Sequence, residues 1–397
     1  MSSTTLPITL GIIGGGQLGR MMAIAAQQMG IGVSVLHPSA DCSAAPVSDV
    51  CVGDWTKRED LLGWAEAVDV ITLEHEFVAA ADLDELVRRG TPVWPQGRSL
   101  ECVQDKWLQR SHLQAAGLPV PQFRAVDSWA DVQLAVAELG LPLVLKTRRM
   151  GYDGHGTAIA RSHQELESIW ARFCPPDMEP LGQLLAEEFV PFEQELAVMA
   201  IRRRNGDCRS YPVATTVQKN YVCDYTIAPA AIPRAVGEKA QEIAIAAVRA
   251  IESVGAIGVE LFLTKSGDVL VNELAPRPHN SGHYTLNGCA TNQFEQHVRA
   301  VLDLPLGSTE LLVPAVAMAN IFGTRQGANV SLPLDAALVP AGVYLHWYGK
   351  SAERPGRKMG HLNAIASSID RARDAAIEAR DALSRWRSRD NENAGDA

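Results

Sequence analysis

Between residues 258 and 276 two strand-like runs flank Ser266-Gly267, and each carries one glutamate in an otherwise bulky, apolar setting. A two-residue hairpin turn closed by Lys265 and Asp268 sets Glu260 directly opposite Glu273. Like charges paired across neighbouring strands repel. A divalent cation between them reverses that sign. Hard carboxylate oxygens suit magnesium, with manganese as an alternative; magnesium keeps several waters and takes the rest of its shell from one or two carboxylates and from substrate phosphates. Leu261, Phe262, Val271 and Leu274 argue against an open sheet edge with two solvated acids. Glu260 and Glu273 are therefore read as metal ligands.

A chain of 397 residues exceeds one ordinary core and divides into two or three domains. Residues 8–13, 33–36 and 68–73 read as strands, and residues 18–29 and 58–67 as helices. This βαβ rhythm predicts an α/β unit with a parallel sheet and ligands at the carboxyl ends of its strands. Glycine and prolines at 115–121 and 304–308 mark boundaries. They predict a unit over 1–117, a mixed α+β unit over 118–307, a smaller one over 308–386 and a disordered tail over 387–397. In the middle unit, residues 143–146, 184–189, 196–202, 258–264 and 269–274 read as strands, and 164–173 and 233–254 as helices. A final helix over 368–386 places Ile369, Ala372, Ala376, Ala379, Leu383 and Trp386 on one face.

The 46 acidic and 36 basic side chains leave a charge of −10, which excludes an extended nucleic-acid surface. Seven scattered cysteines, with no C-x-x-C pair, argue for a reducing compartment without zinc or disulfides. The N-terminal run lacks the charge and length of a signal peptide or membrane span, so a cytoplasmic location is expected.

Gly14-Gly15-Gly16-Gln17-Leu18-Gly19 follows a strand and opens a helix, an arrangement whose free N–H groups attract a phosphate or other polar substrate. A dinucleotide site would need an acid at the end of the second strand, where His37 stands, and a dehydrogenase is set aside on that ground. Lys146 ends an apolar strand and needs a charge partner, which a phosphate supplies. Gly151, Gly154 and Gly156 then form a loop able to fold over phosphates through its amides. Lys106 reads either as a second phosphate clamp or as an exposed helix lysine, and Glu187-Glu188-Phe189-Val190 with Glu195 either serves an adenine and its ribose or is a solvated acidic turn. The run Arg202-Arg203-Arg204 precedes Asn205-Gly206 and reads as solvated.

Taken in order, Lys106, Lys146 with its glycine loop, Glu187 to Val190 with Glu195, Glu260 and Asn272-Glu273 resemble the ATP-grasp superfamily. Residues 14–21, 148–156, 272–283 and 354–362 are similar to the 5-(carboxyamino)imidazole ribonucleotide synthase family of purine biosynthesis. The resemblance implies three domains: a pre-ATP-grasp parallel-sheet domain, ATP-grasp lobes with a mobile lid, and a small C-terminal domain. It implies a homodimeric ligase using ATP, bicarbonate and aminoimidazole ribonucleotide by way of carboxyphosphate. Glu260 and Glu273 would hold magnesium beside Asn272, and Lys106, Lys146, Glu188, Val190, Glu195 and Gln218 would contact ATP. Gln17, Leu18, Glu76, Asn280, Lys350, Arg357 and Lys358 would contact the ribonucleotide, Lys350 also as a catalytic group. Arg354, Arg357 and Lys358 can clamp a ribose phosphate. Arg277 is the candidate for bicarbonate, and Tyr152 and Asp153 for orienting the amine or moving its proton. His279 and His283 are also placed for that role, the alternative for each being a hydrogen-bonded structural histidine. Lys106, His155 and Gln218 depart from residues common among relatives. The rivals are a formate-using glycinamide ribonucleotide transformylase and a non-catalytic nucleotide sensor.

Overall fold

The computed structural model describes residues 5–149, 151, 156–174, 184–328, 332, 334–338 and 340–394. Tyr152, Asp153, Gly154 and His155 lie outside the described residues. Four parallel strands open the chain: β1 (Thr9–Ile13), β2 (Gly32–His37), β3 (Asp49–Val52) and β4 (Val70–Leu73), in the order β3-β2-β1-β4. Both faces are covered. Leu10 and Ile12 pack with Leu18 and Met22 of the helix Gln17–Gln28, while Ile13 packs on the other face with Leu61, Trp64 and Leu83. Burial on both sides is why the strands read as continuous apolar runs. The half-exposed edge strand β3 lacks that signal.

A second, antiparallel sheet of four strands follows: β5 (Phe123–Val126), β6 (Leu143–Thr147), β7 (Thr157–Ala160) and β8 (Leu184–Glu188), ordered β5-β8-β6-β7. Helices Trp129–Leu139 and His163–Phe173 cover one face through Val132, Leu166 and Phe173.

The largest sheet starts with β9 (Phe192–Arg202), β10 (Cys208–Ser210), β11 (Ala214–Lys219), β12 (Val222–Ala228), β13 (Gly255–Thr264) and β14 (Val269–Ala275). It continues through β15 (Ala315–Phe322), β17 (Val343–Trp347) and β19 (Lys358–Ala366), while β16 (Gly327–Ala328) pairs apart with β18 (Ala352–Glu353). The third unit therefore brings no main sheet of its own: β15 pairs with β12, Tyr225 facing Ala319, and extends the sheet of the middle unit. Ala315, Ala317 and Ala319 meet Ala372, Ala376 and Ala379 of the last helix, small residues that permit close approach. That helix runs Ile369–Ala394, past the end near residue 386 that the sequence suggests and through most of the expected tail.

The units are bolted together. Helix Gln293–Val301, from the middle unit, sends Phe294, Val298 and Val301 into the core beside Leu18 and Met22. His297 Nδ1 accepts the Ala256 N–H at 3.0 Å, so its Nε2–H donates to Thr72 Oγ1 at 2.7 Å and the tautomer is fixed. Nor is the Arg202–Arg204 run solvated: Arg203 pairs with Asp303 at 3.3 Å and Arg204 lies over the Trp94 ring. No helix among the described residues is long and apolar enough to cross a membrane.

Candidate active site

The hairpin of β13 and β14 does set Glu260 opposite Glu273, but by a different route. Thr264 and Asp268 close the turn, the Thr264 N–H donating to the Asp268 carbonyl at 2.9 Å, and three residues rather than two lie between them. That shifts the register by one residue. A bulge beyond Glu260, where Leu261 already faces Val271, shifts it back.

The pair is half-buried rather than sealed in the core. Burial and the neighbouring Glu273 push the Glu260 carboxyl up to about 7. For Glu273, burial acts in the same direction, but Lys106 overcomes it and holds this carboxyl below its usual range. Lys106 Nζ lies 2.9 Å from Glu273 Oε1. Glu195, across β9 in the row of Phe262, is raised to about 7 by burial. Two hard oxygen donors in register, one of them costly to ionise without a cation, fit magnesium and leave the rest of its shell to phosphate and water.

The helix Lys106–Ala115 organises the cations. Lys106 and Arg110 stand one turn apart on it. Arg110 Nε contacts Glu187 Oε1 at 2.6 Å, and Lys146 Nζ contacts Glu187 Oε2 at 2.5 Å. Burial alone would raise the Glu187 carboxyl; Arg110 and Lys146 hold it near 2. Its side chain is thus consumed inside the protein rather than offered to a nucleoside. Gln109 Oε1 accepts the Leu274 N–H at 3.2 Å, tying the same helix to the metal strand. Glu188 accepts the Gln122 N–H at 2.8 Å, Val190 is buried, and Gln218 sits at a register shift in β11.

Two of the glycine-loop amides expected to meet a phosphate or other polar substrate are held by a carboxylate of the chain itself. Glu74, just past β4, accepts the Gly16 N–H at 2.6 Å and the Gly19 N–H at 2.8 Å. A Cβ on Gly14 would meet Glu74 Cγ at 2.4 Å, and Gly14 has φ +101°. The glycines thus admit a carboxylate of this chain to the helix N-terminus. His37 Nδ1 accepts the Gly15 N–H at 3.1 Å, in the place of a ribose-binding acid. Gln17 opens the helix, and the Leu18 side chain is in the core.

Arg277 joins the two halves, its Nε 2.9 Å from Glu76 Oε1, with Glu74 and Glu273 also near enough to raise its pKa against burial. Lys350 Nζ donates to the Lys358 carbonyl at 2.6 Å. Burial, then the Arg357 charge, pulls the Lys350 amine down to about 7. Arg357 donates to the Ala352 carbonyl, and burial with Arg354 lowers its pKa. Asn280 lies in a short 3-10 turn after β14. His279 Nε2 is 3.7 Å from Glu260, while His283 is buried against Gln293 and the His361 ring. Asn272, at the bulge, is half-buried.

Sequence reasoning missed Asp105, Gln109, Arg110 and Glu74. Asp105 had a signal, an acid just before a helix; Glu74 had none, because its partners lie more than fifty residues away.

An antiparallel sheet with paired carboxylates, met by lysines from a helix and from a smaller sheet, defines an ATP-grasp protein. Family models agree over most of the chain: a ribonucleotide synthetase preATP-grasp domain matches residues 8–104, an ATP-grasp domain 111–294, and a phosphoribosylaminoimidazole carboxylase C-terminal domain 316–375. An N5-carboxyaminoimidazole ribonucleotide synthase of Synechococcus elongatus is 43% identical over 92% of this chain and 92% of its own length. The chain belongs to the N5-carboxyaminoimidazole ribonucleotide synthase family. It also matches the longer phosphoribosylaminoimidazole carboxylase of Vigna aconitifolia, 37% identical over 91% of this chain but 65% of that protein. The Aspergillus clavatus synthase solved with ADP and 5-aminoimidazole ribonucleotide superposes with a TM-score of 0.85, at 32% identity, over 95% of this chain and 99% of that one.

Proposed function

We propose that the chain is a ligase that carboxylates 5-aminoimidazole ribonucleotide with bicarbonate at the expense of ATP, releasing ADP and phosphate, in purine nucleotide synthesis. The observation that carries the reading is the meeting of two charge systems at Arg277: lysines and carboxylates suited to magnesium-ATP on one side, a lysine–arginine cluster suited to a ribose phosphate on the other.

Phosphoryl transfer needs positioning and charge stabilisation more than a nucleophile from the protein. Lys106 and Lys146 hold the phosphates, Glu195 takes the ribose, and Gly151 and Gly156 belong to the loop expected to cover them. Glu260 and Glu273, beside Asn272, would hold a magnesium ion, which would neutralise phosphate charge when bound. Arg277 holds bicarbonate while its oxygen attacks the γ-phosphorus and ADP leaves. The resulting carboxyphosphate gives its carboxyl carbon to the exocyclic amine, and phosphate departs. The amine proton passes to a base. Lys350, whose amine burial and the Arg357 charge pull down to about 7, is our candidate, with Tyr152 and Asp153 orienting the substrate amine. Gln17, Leu18, Glu76, Asn280, Arg357 and Lys358 bind the ribonucleotide. Domain boundaries near 117 and 307, a homodimer and a cytoplasmic location complete the proposal.

ADP release should require both bicarbonate and aminoimidazole ribonucleotide. Release driven instead by formate with glycinamide ribonucleotide would reassign the substrate, and nucleotide binding without turnover would remove the reaction.

A further inference from the structure

We infer that Asp105 and Arg148 form a positioning pair that holds Lys106 and Lys146 in register with one another. The inference rests on reading those two lysines as phosphate ligands. Asp105 immediately precedes Lys106, and Arg148 lies two residues beyond Lys146, so each lysine stands beside one half of the pair. The Asp105 side chain is 4% exposed and the Arg148 side chain 12%.

Asp105 Oδ1 accepts the Trp107 N–H at 3.0 Å and the Leu108 N–H at 3.3 Å, which caps the helix Lys106–Ala115. A cap needs only one oxygen. Arg148 engages both, Nε to Oδ1 at 2.9 Å and a terminal nitrogen to Oδ2 at 2.6 Å, while Arg149 Nε reaches Oδ2 at 3.3 Å. The Lys106 N–H donates to the Arg148 carbonyl at 2.9 Å, and the Arg148 guanidinium lies 5.1 Å from the Trp107 ring centroid. Side chain, main chain and ring thus fasten the first turn of the helix to the end of β6. Gln109 and Arg110 anchor the next turn, to β14 and β8. They fix the helix against the sheets but leave the direction of its first turn to Asp105. Planar, two-toothed pairing sets orientation as well as distance.

The test separates capping from pairing. Asn caps a helix as well as Asp does, so Asp105→Asn keeps the cap and loses the ion pair. We expect this variant to lower kcat by about tenfold to a hundredfold, the scale of an ångström misplacement. Its Kd for magnesium-ATP should rise while the KM for aminoimidazole ribonucleotide stays within about twofold. Arg148→Ala should lose activity likewise and regain part of it when guanidinium is added; Arg148→Lys, lacking the fork, should stay impaired. Parental kcat and ATP affinity in Asp105→Asn would overturn the inference. So would a loss shared equally between ATP affinity and ribonucleotide KM, or failure of guanidinium to restore Arg148→Ala. If the parent enzyme does not turn over the ribonucleotide yet ATP affinity still depends on the pair, the assigned reaction falls and the pair stands.

Discussion

The two halves of the site manage charge in opposite ways. On the carboxylate half every lysine already has an acid: Lys106 on Glu273, and Lys146 with Arg110 on Glu187. An arriving triphosphate must exchange partners there, and an accompanying cation makes the exchange favourable by taking over Glu273. On the other half Lys350, Arg354 and Arg357 crowd together, with Lys350 and Arg357 donating to main-chain carbonyls rather than to carboxylates. That half stores repulsion, which a phosphate dianion relieves on arrival. One half therefore demands metal and phosphate together, whereas the other accepts an anion alone.

The difference is broken most severely at Glu273. Glu273→Gln removes a metal ligand and the partner of Lys106 at once, and should lower turnover by about a thousandfold at an unchanged fold. Ordinary ADP release from this variant, with its thermal midpoint intact, would remove the metal assignment. Arg357→Ala acts on the other half. It should raise the ribonucleotide KM by about tenfold to a hundredfold, the worth of one charge-assisted contact, while kcat and the ATP KM barely move. A loss confined to ATP would show that the halves are not separate.

The same division governs what was legible in the sequence. The carboxylate pair could be read because both glutamates lie in one hairpin. Even so, the turn has one more residue than expected, and a bulge at Asn272 restores the pairing. Bulges are set by packing that a strand pattern does not encode. Lys146 was legible as a charged end to an apolar strand. The occupant of the glycine loop was not, since a carboxylate and a phosphate ask the same of an exposed amide, and only tertiary structure brings Glu74 to it. The Arg203–Asp303 pair misled for the same reason: partners a hundred residues apart leave no local trace. The third unit, separate by its punctuation, shares a sheet with the second because strand order is a non-local property.

The two halves also act in different pH windows, although stability rises with pH in both. Lys350 falls from 10.5 to about 7 on folding, so between those values the unfolded chain binds the extra proton and stability rises with pH. Glu187 falls from 4.5 to about 2, so its contribution is present above 4.5 and is lost as pH drops toward 2. Denaturant midpoints followed against pH should lose the alkaline rise in Lys350→Met. Glu187→Gln should flatten the acid limb. An alkaline rise unchanged in Lys350→Met would mean that this amine is not strained by its neighbours.

The smallest expected effect comes from a place that belongs to neither half. Asn220 and Tyr221 form the tip between β11 and β12, at φ 53° and 63°, and Tyr221 is 66% exposed. A two-residue turn of this hand favours glycine, and a bulky side chain held there costs about 1 kcal/mol. Tyr221→Gly should therefore raise stability by up to ~1 kcal/mol, less the entropy that glycine adds to the unfolded chain. Kinetic constants for ATP and for the ribonucleotide should both stay at parental values. If the ATP KM alone shifts, the tip reaches the nucleotide through Gln218, and the strained tyrosine belongs to the carboxylate half after all.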